Sequence, residues 1–303
     1  MREHRAGAPT RFASGFTLIE IAVVIVVLSL LLAMIAGLAT AMLGQQRREA
    51  TRQRLAGVET AIALFVSQNK RLPCPADGRI AGTASGAGTE LRNVTGQCTV
   101  AGAVNTQTHG VVPWLSLGLA EQDVTDGWGN RLTYRVAPEF VADNAMDFTA
   151  CDPGAAIAGS ATTACGTPCP SGVWPAGCTN PRDVTMGKGL QVRNLSVATP
   201  LVMDPNAAPS TGAAYVVISH GENGQGAYSN QGTLQAGTIA SGTLESANNA
   251  ADVAFVNSVS STAAAFVDDF PVYTEGAGHF DDWLLRPSIL TVATKAQLGP
   301  RAH

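Results

Sequence analysis

Ser14-Gly15-Phe16-Thr17-Leu18-Ile19-Glu20 runs directly into an uncharged stretch from Ile21 to Leu43, built mostly of Ile, Val, Leu and Ala. About 23 residues at about 1.5 Å of rise each make about 35 Å of helix, enough to cross a hydrocarbon core of about 30 Å. A helix of this length in water would carry a polar face, and this one carries none. Three kinds of N terminus fit such a span. A secretory signal peptide has a basic start, a short apolar stretch and a small-residue cut site, and Ala39-Thr40-Ala41 imitates that site. The apolar run, however, exceeds the usual length of about 7–15 residues. A plain signal anchor explains the length but assigns no purpose to Gly15 through Glu20.

The third kind accounts for both. Gly15-Phe16-Thr17-Leu18-Ile19-Glu20 resembles the recognition motif of type IV prepilins and type II secretion pseudopilins. The resemblance implies that a prepilin peptidase/N-methyltransferase cuts between Gly15 and Phe16 and methylates the new amino terminus of Phe16. Residues 1–15, with Arg2, Arg5 and Arg11, would be the leader. Glu20 becomes the fifth mature residue, where the family usually has glutamate. An ionised side chain at mid-bilayer costs about 2.5–3.5 kcal/mol on insertion scales, so an acid beside a membrane helix calls for a partner. The cut creates an amine four residues away. In a filament, Glu20 of one subunit would pair with the Phe16 amine of its neighbour. Charge counting alone leaves the orientation ambiguous, because Arg47, Arg48, Arg52 and Arg54 follow the span. The leader motif and the downstream cysteines place the leader in the cytoplasm and the large domain outside.

Helical character continues past the span. Leu55, Val58, Ile62, Phe65 and Val66 recur at three- and four-residue steps, with Arg52, Glu59 and Gln68 elsewhere. One helix from about Phe16 to Asn69 is expected, with a transmembrane half over 16–43 and an amphipathic half over 44–70. Leu72-Pro73-Cys74-Pro75 ends it, since proline removes a donor and biases its predecessor away from helix. Residues 71–294 are expected to form the exported globular domain and 295–303 a loose tail.

Within that domain, Asp126-Gly127-Trp128-Gly129-Asn130 is a turn cluster and Arg131 to Val136 alternates like a strand. This stretch resembles the segment that opens the sheet in pseudopilin-like domains. It implies a turn that packs Trp128 against the long helix; a carbohydrate platform on Trp114 and Trp128 is the rival reading. Ala213 to Ser219 reads as a buried strand leading into His220-Gly221-Glu222-Asn223-Gly224. Neither enzyme motif suggested by this glycine-rich turn is complete. No helix pattern follows it to cradle a phosphate, and Val217 stands where a nucleophile elbow needs its first glycine. The five histidines are scattered, with no acid at a telling spacing. The strand and its loop resemble the C-terminal region of the major pseudopilin, whose loop binds calcium. That makes Glu222, Asn223 and Asp252 candidate calcium ligands, although Asn223 stands where the family tends to have Asp. A glycine-rich hairpin loop without a metal is the simpler reading. Phe280 to Leu285 reads as the last element.

All six cysteines, Cys74, Cys98, Cys151, Cys165, Cys169 and Cys178, follow residue 70 in Gly- and Pro-rich surroundings. In an oxidising compartment they read as disulfides, with Cys74–Cys98 the best single pairing. A zinc site is the rival for Cys165 and Cys169, but no second close pair or nearby histidine completes it. The net charge of −4 and the lack of a basic stripe beyond the N-terminal third give no sign of nucleic-acid binding.

The expected fold is α+β, a long N-terminal helix packed on an antiparallel sheet with disulfide-stapled loops. The expected role is structural rather than enzymatic. It is that of a minor pilin or pseudopilin held in the bacterial inner membrane by one span, periplasmic beyond it, and destined for a filament with other pilin subunits. A membrane-anchored binding protein or adhesin that works without a filament is the alternative.

Overall fold

The computed structural model describes residues 17–94, 96–99, 109–146, 185, 187–194, 197–207, 210–235, 244–249, 266–273, 276 and 278–298. The chain divides into two units, residues 1–46 and 47–303, and helix α1 (Leu18–Asn69) contributes to both. In the first unit, α1 is long and apolar enough to cross a membrane, and none of its apolar window is buried inside the protein. The sequence-derived span therefore has its apolar side chains on the outside, as a lipid-facing helix requires.

In the second unit, the remainder of α1 is amphipathic in the register expected. Val58, Ile62 and Val66 are fully buried and Leu55 nearly so. Each such side chain contributes about 1.5–3 kcal/mol relative to exposure, which holds this half of the helix in place where propensity alone would not. The helix ends at Asn69. Lys70 takes a left-handed φ of 55° while its N–H still donates to Val66 O, and Leu72 N–H then donates to Phe140 O.

The chain continues through β1 (His109–Val111), β2 (Asn130–Arg131), β3 (Thr133–Val136), β4 (Val192–Asn194), β5 (Val197–Met203), β6 (Tyr215–Ser219) and β7 (Tyr228–Ser229). It closes with α2 (Glu245–Asn249), β8 (Phe266–Val267), β9 (Trp283–Leu285) and α3 (Ile289–Lys295). The main sheet is antiparallel in the order β1-β3-β6-β9, with Tyr134 opposite Val217 and Val217 opposite Leu285. β2 pairs with β7, and β5-β4-β8 forms a third sheet in which β4 and β8 run parallel. The fold is α+β, with that one parallel pair added to the antiparallel plan.

β6 is buried along its whole length because it serves two cores. Tyr215 and Val217 join Leu55, Val58, Ile62, Val66, Leu132 and Tyr134. Val216 and Ile218 face the other way, with Val192, Met203 and Phe266. The alternation of strand side chains makes this division.

The expected end of the domain is corrected. Phe280 to Leu285 is not the last element, because Ser288 caps α3 by accepting from Thr291 N–H and buries Ile289, Val292 and Ala293. Ala296 and Leu298 are also buried, so packing continues past 294. Residues 299–303 lie outside the described residues.

Candidate functional site

Gly15 and Phe16 lie outside the described residues, so the N-terminal geometry begins at Thr17. Thr17 N–H and Thr17 Oγ1 both donate to Glu20 Oε2, each at 2.9 Å, and Glu20 N–H points back to Thr17 Oγ1 at 3.4 Å. This is a capping box: a hydroxyl residue and a glutamate three positions on exchange hydrogen bonds across the first turn. Glu20 thus has a local role in closing the helix besides any partner in another subunit.

Beyond the span, three of the four arginines that made charge counting ambiguous, Arg48, Arg52 and Arg54, hold the globular unit to itself. Arg48 lies 4.3 Å from the centre of the Tyr273 ring and Arg52 lies 4.5 Å from that of Trp283. Arg54 Nη1 donates to the carbonyls of Thr125 and Asp126 at 2.7 and 2.8 Å. The turn that Arg54 grips approaches α1 through glycine. Trp128 is only half-buried and stands outside the main core. Gly127 makes a backbone contact with α1. Its N–H donates to Thr51 Oγ1 at 2.9 Å, and a Cβ there would lie 2.2 Å from Arg47 O. Asp126 fixes the turn from inside, accepting from Trp128 N–H, Asn130 N–H and Ser219 Oγ. Burial raises its carboxyl above the ordinary range against those three donors. Trp114, 5% exposed, lies within the main core, and Trp283 packs against that core.

Arg131 escaped sequence reasoning, which placed it on an alternating strand. It is 1% exposed, and all five of its N–H groups are matched. Nε and Nη2 donate to Glu121 Oε1, Nη1 to the carbonyls of Gly78 and Ile80, and Nη2 also to Asn230 O. Three segments distant in sequence are tied at this one side chain.

Cys74 and Cys98 are joined by a disulfide inside the main core. Cys151, Cys165, Cys169 and Cys178 lie outside the described residues.

The loop after β6 holds a buried acidic cluster. Asp281 Oδ2 accepts from Glu222 N–H at 2.7 Å and from Asn223 N–H at 3.2 Å. Glu245 accepts from Asn223 Nδ2 at 2.9 Å and from Asp281 N–H at 3.0 Å. Asn223 Oδ1 accepts from Gln225 N–H. Glu245, His279 and Asp281 bring three ligand-capable atoms within 4.8 Å of one another. Calcium takes six to eight oxygens and no imidazole nitrogen. Asn223, named from the sequence, is engaged at both ends by protein groups. The Glu222 side chain is exposed, and Asp252 lies outside the described residues. Among the described residues these groups do not assemble a calcium set; hydrogen bonds hold the loop.

Two histidines do find acids here, across separations that sequence spacing could not reveal. His279 Nε2 is 3.7 Å from Glu245 Oε1 and 3.6 Å from Asp281 Oδ2. His220 Nε2 lies 2.9 Å from Thr133 Oγ1 while its Nδ1 lies 3.6 Å from Asp282 Oδ1. The order hydroxyl, imidazole, carboxylate is that of a nucleophile relay. The 3.6 Å separation exceeds hydrogen-bond reach. Thr133, His220 and Asp282 are all buried, so the group reads as packing.

Residues 10–36 match the family model of the prokaryotic N-terminal methylation motif. The N terminus is that of a type IV pilin-like or pseudopilin-type precursor. The match spans the glycine, the Thr17–Glu20 capping box and most of the apolar run, the same stretch that fits membrane anchoring. Proteins of this type are structural, and the motif in general implies processing by a prepilin peptidase and assembly with pilin subunits. No curated protein and no solved structure matches the chain.

Proposed function

We propose that this chain is a minor subunit of a type IV pilus or type II secretion pseudopilus, cut between Gly15 and Phe16 and methylated on Phe16. The methylation motif at residues 10–36, leading into an apolar helix with no buried face, carries the reading. The long globular unit, larger than a simple major subunit needs, supports the minor role. The role is architectural: the span stores the subunit in the inner membrane with its second unit in the periplasm until other pilin subunits withdraw it.

Glu20 supplies the charge that the Phe16 amine of a neighbouring subunit would meet. Its capping bonds to Thr17 mean that Glu20→Ala removes a helix cap and a charge together. Glu20→Gln separates them, because the amide oxygen still caps and carries no charge. Intact mass of the membrane-extracted protein should give a chain starting at N-methyl-Phe16 for the wild type and both variants. Incorporation into filaments in cells lacking the wild-type copy should fall for both variants. A mature chain beginning elsewhere defeats the processing assignment, and normal incorporation of Glu20→Gln defeats the charge pairing. A correctly cut protein that never co-purifies with pilin subunits would favour an anchored binding protein without a filament.

A further inference from the structure

Four consecutive apolar residues of the globular unit, Phe270-Pro271-Val272-Tyr273, are exposed. Phe270 is 85% exposed, Tyr273 44% and Val272 39%. Runs of this length are not left in water without a function to serve, since each apolar group there forgoes burial. Two acids precede the segment: Asp268 is paired with Arg286, and Asp269 accepts from Phe270 N–H.

The position of the segment is set by Arg48, whose guanidinium lies 4.3 Å from the centre of the Tyr273 ring. Arg48 follows Leu43, the last residue of the apolar run, by five positions of α1. That is about 7.5 Å along a helix, and helical side chains lean toward the N-terminal end, here toward the span. The headgroup layer on each side of a bilayer is about 5–8 Å deep. Arg48 therefore belongs to that layer by chain connection alone, and the ring stacked on it belongs there too. Tyrosine at headgroup depth with arginine beside it is the common composition of a membrane interface. Exposed Arg47 adds attraction for anionic lipid.

We infer that Phe270-Pro271-Val272-Tyr273 is a membrane-docking segment that meets the phospholipid surface. The occupant is lipid headgroup and upper acyl chain, with Phe270 inserted and Tyr273 held at the interface by Arg48. The inference rests on the membrane-spanning reading of residues 21–43. When the subunit leaves the bilayer for a filament, this contact must be given up. The segment thus belongs to the stored state.

The test places the photocrosslinker p-benzoylphenylalanine at three positions of the full chain in phosphatidylethanolamine–phosphatidylglycerol proteoliposomes. Phe270→p-benzoylphenylalanine reports on the segment and Leu31→p-benzoylphenylalanine on the span. Val94→p-benzoylphenylalanine is an exposed position beside Arg92, whose partner Asp143 also faces Arg71 at the other end of α1. Lipid adducts by mass spectrometry are expected at 270 and 31, with at least a tenfold lower yield at 94. Adducts at 31 alone would overturn the docking segment while leaving the span intact. Adducts at neither 31 nor 270 would overturn the membrane reading itself. Protein–protein adducts at 270 in place of lipid would assign the segment to a subunit contact and overturn the lipid proposal.

Discussion

Glu245 is an acid at 4% exposure, hydrogen-bonded at both oxygens and facing a second acid, Asp282. Burial, and then the charge of Asp282, raise its carboxyl from an ordinary 4.5 to about 7. The bonds from Asp281 N–H and Asn223 Nδ2 oppose that rise without cancelling it. Between those two values the folded chain holds the proton and the unfolded chain has lost it. The contribution of Glu245 to stability therefore falls as pH rises through the window, and the penalty is complete above about 7. Glu245→Gln has no proton to lose. The melting temperature of the wild type minus that of the variant should decline from about pH 5 to about pH 8, by an amount corresponding to about 1–3 kcal/mol. A difference that stays level over that range would show that Glu245 is ionised throughout. None of this was legible in the sequence. Glu245 and Asp281 stand 36 residues apart, and only the folding of α2 and the approach to β9 against the His220 loop brings them together.

At the scale of elements, what periodicity could show, it showed. The lipid-facing run, the Leu55–Val66 stripe and the β6 strand all follow from apolar spacing, because the partner of each face is an extended surface rather than a particular atom. Helix α3 was missed since Ile289, Thr291 and Val292 are β-branched and weak helix formers. Its cap at Ser288 and its burial supply what propensity lacks. The turn before β2 was read correctly as a turn, but the glycine that brings it against α1 was not singled out. Close approach of two backbones selects the smallest residue. A Cβ on Gly127 would meet Arg47 O at 2.2 Å and Arg47 Cα at 2.7 Å, and backbone cannot step aside as a side chain can. Gly127→Ala should destabilise by about 1–3 kcal/mol in urea unfolding of the detergent-solubilised chain. Gly57→Ala is the control on the same helix. A Cβ there meets nothing within 4 Å, so the change should be neutral or stabilise by up to about 1 kcal/mol. Equal effects from the two changes would remove the docking role of Gly127.

For the whole molecule, the cysteines connect stability to compartment. Cys74 lies five residues past the end of α1, and its disulfide to Cys98 returns the chain across 24 residues of turn-rich sequence to the main core. The same loop is fixed by Glu90, which takes two bonds from Arg71 and one from Cys74 N–H. Strand ladders alone would hold this stretch poorly, since its pairings are isolated bridges such as Ala76 with Glu90 and Arg92 with Cys98. Closing a loop of that length restricts the unfolded chain by about 3 kcal/mol in the chain-entropy account. Replacing both cysteines, Cys74→Ala with Cys98→Ala, should therefore lower stability by about 2–4 kcal/mol and speed proteolysis between residues 76 and 99. The double change is preferable to either alone, which would leave a buried thiol ready to mispair with Cys151, Cys165, Cys169 or Cys178. A bond of this kind persists outside the cytoplasm and not within it, so the thiol count tests placement as well. Labelling of the denatured, unreduced wild-type chain should find no reactive cysteine, with three disulfides among the six residues. Four reactive thiols with bound zinc would refute three disulfides and restore the metal reading of Cys165 and Cys169. Six reactive thiols in freshly extracted protein would place the second unit in a reducing compartment, which no filament subunit processed at Gly15 would occupy.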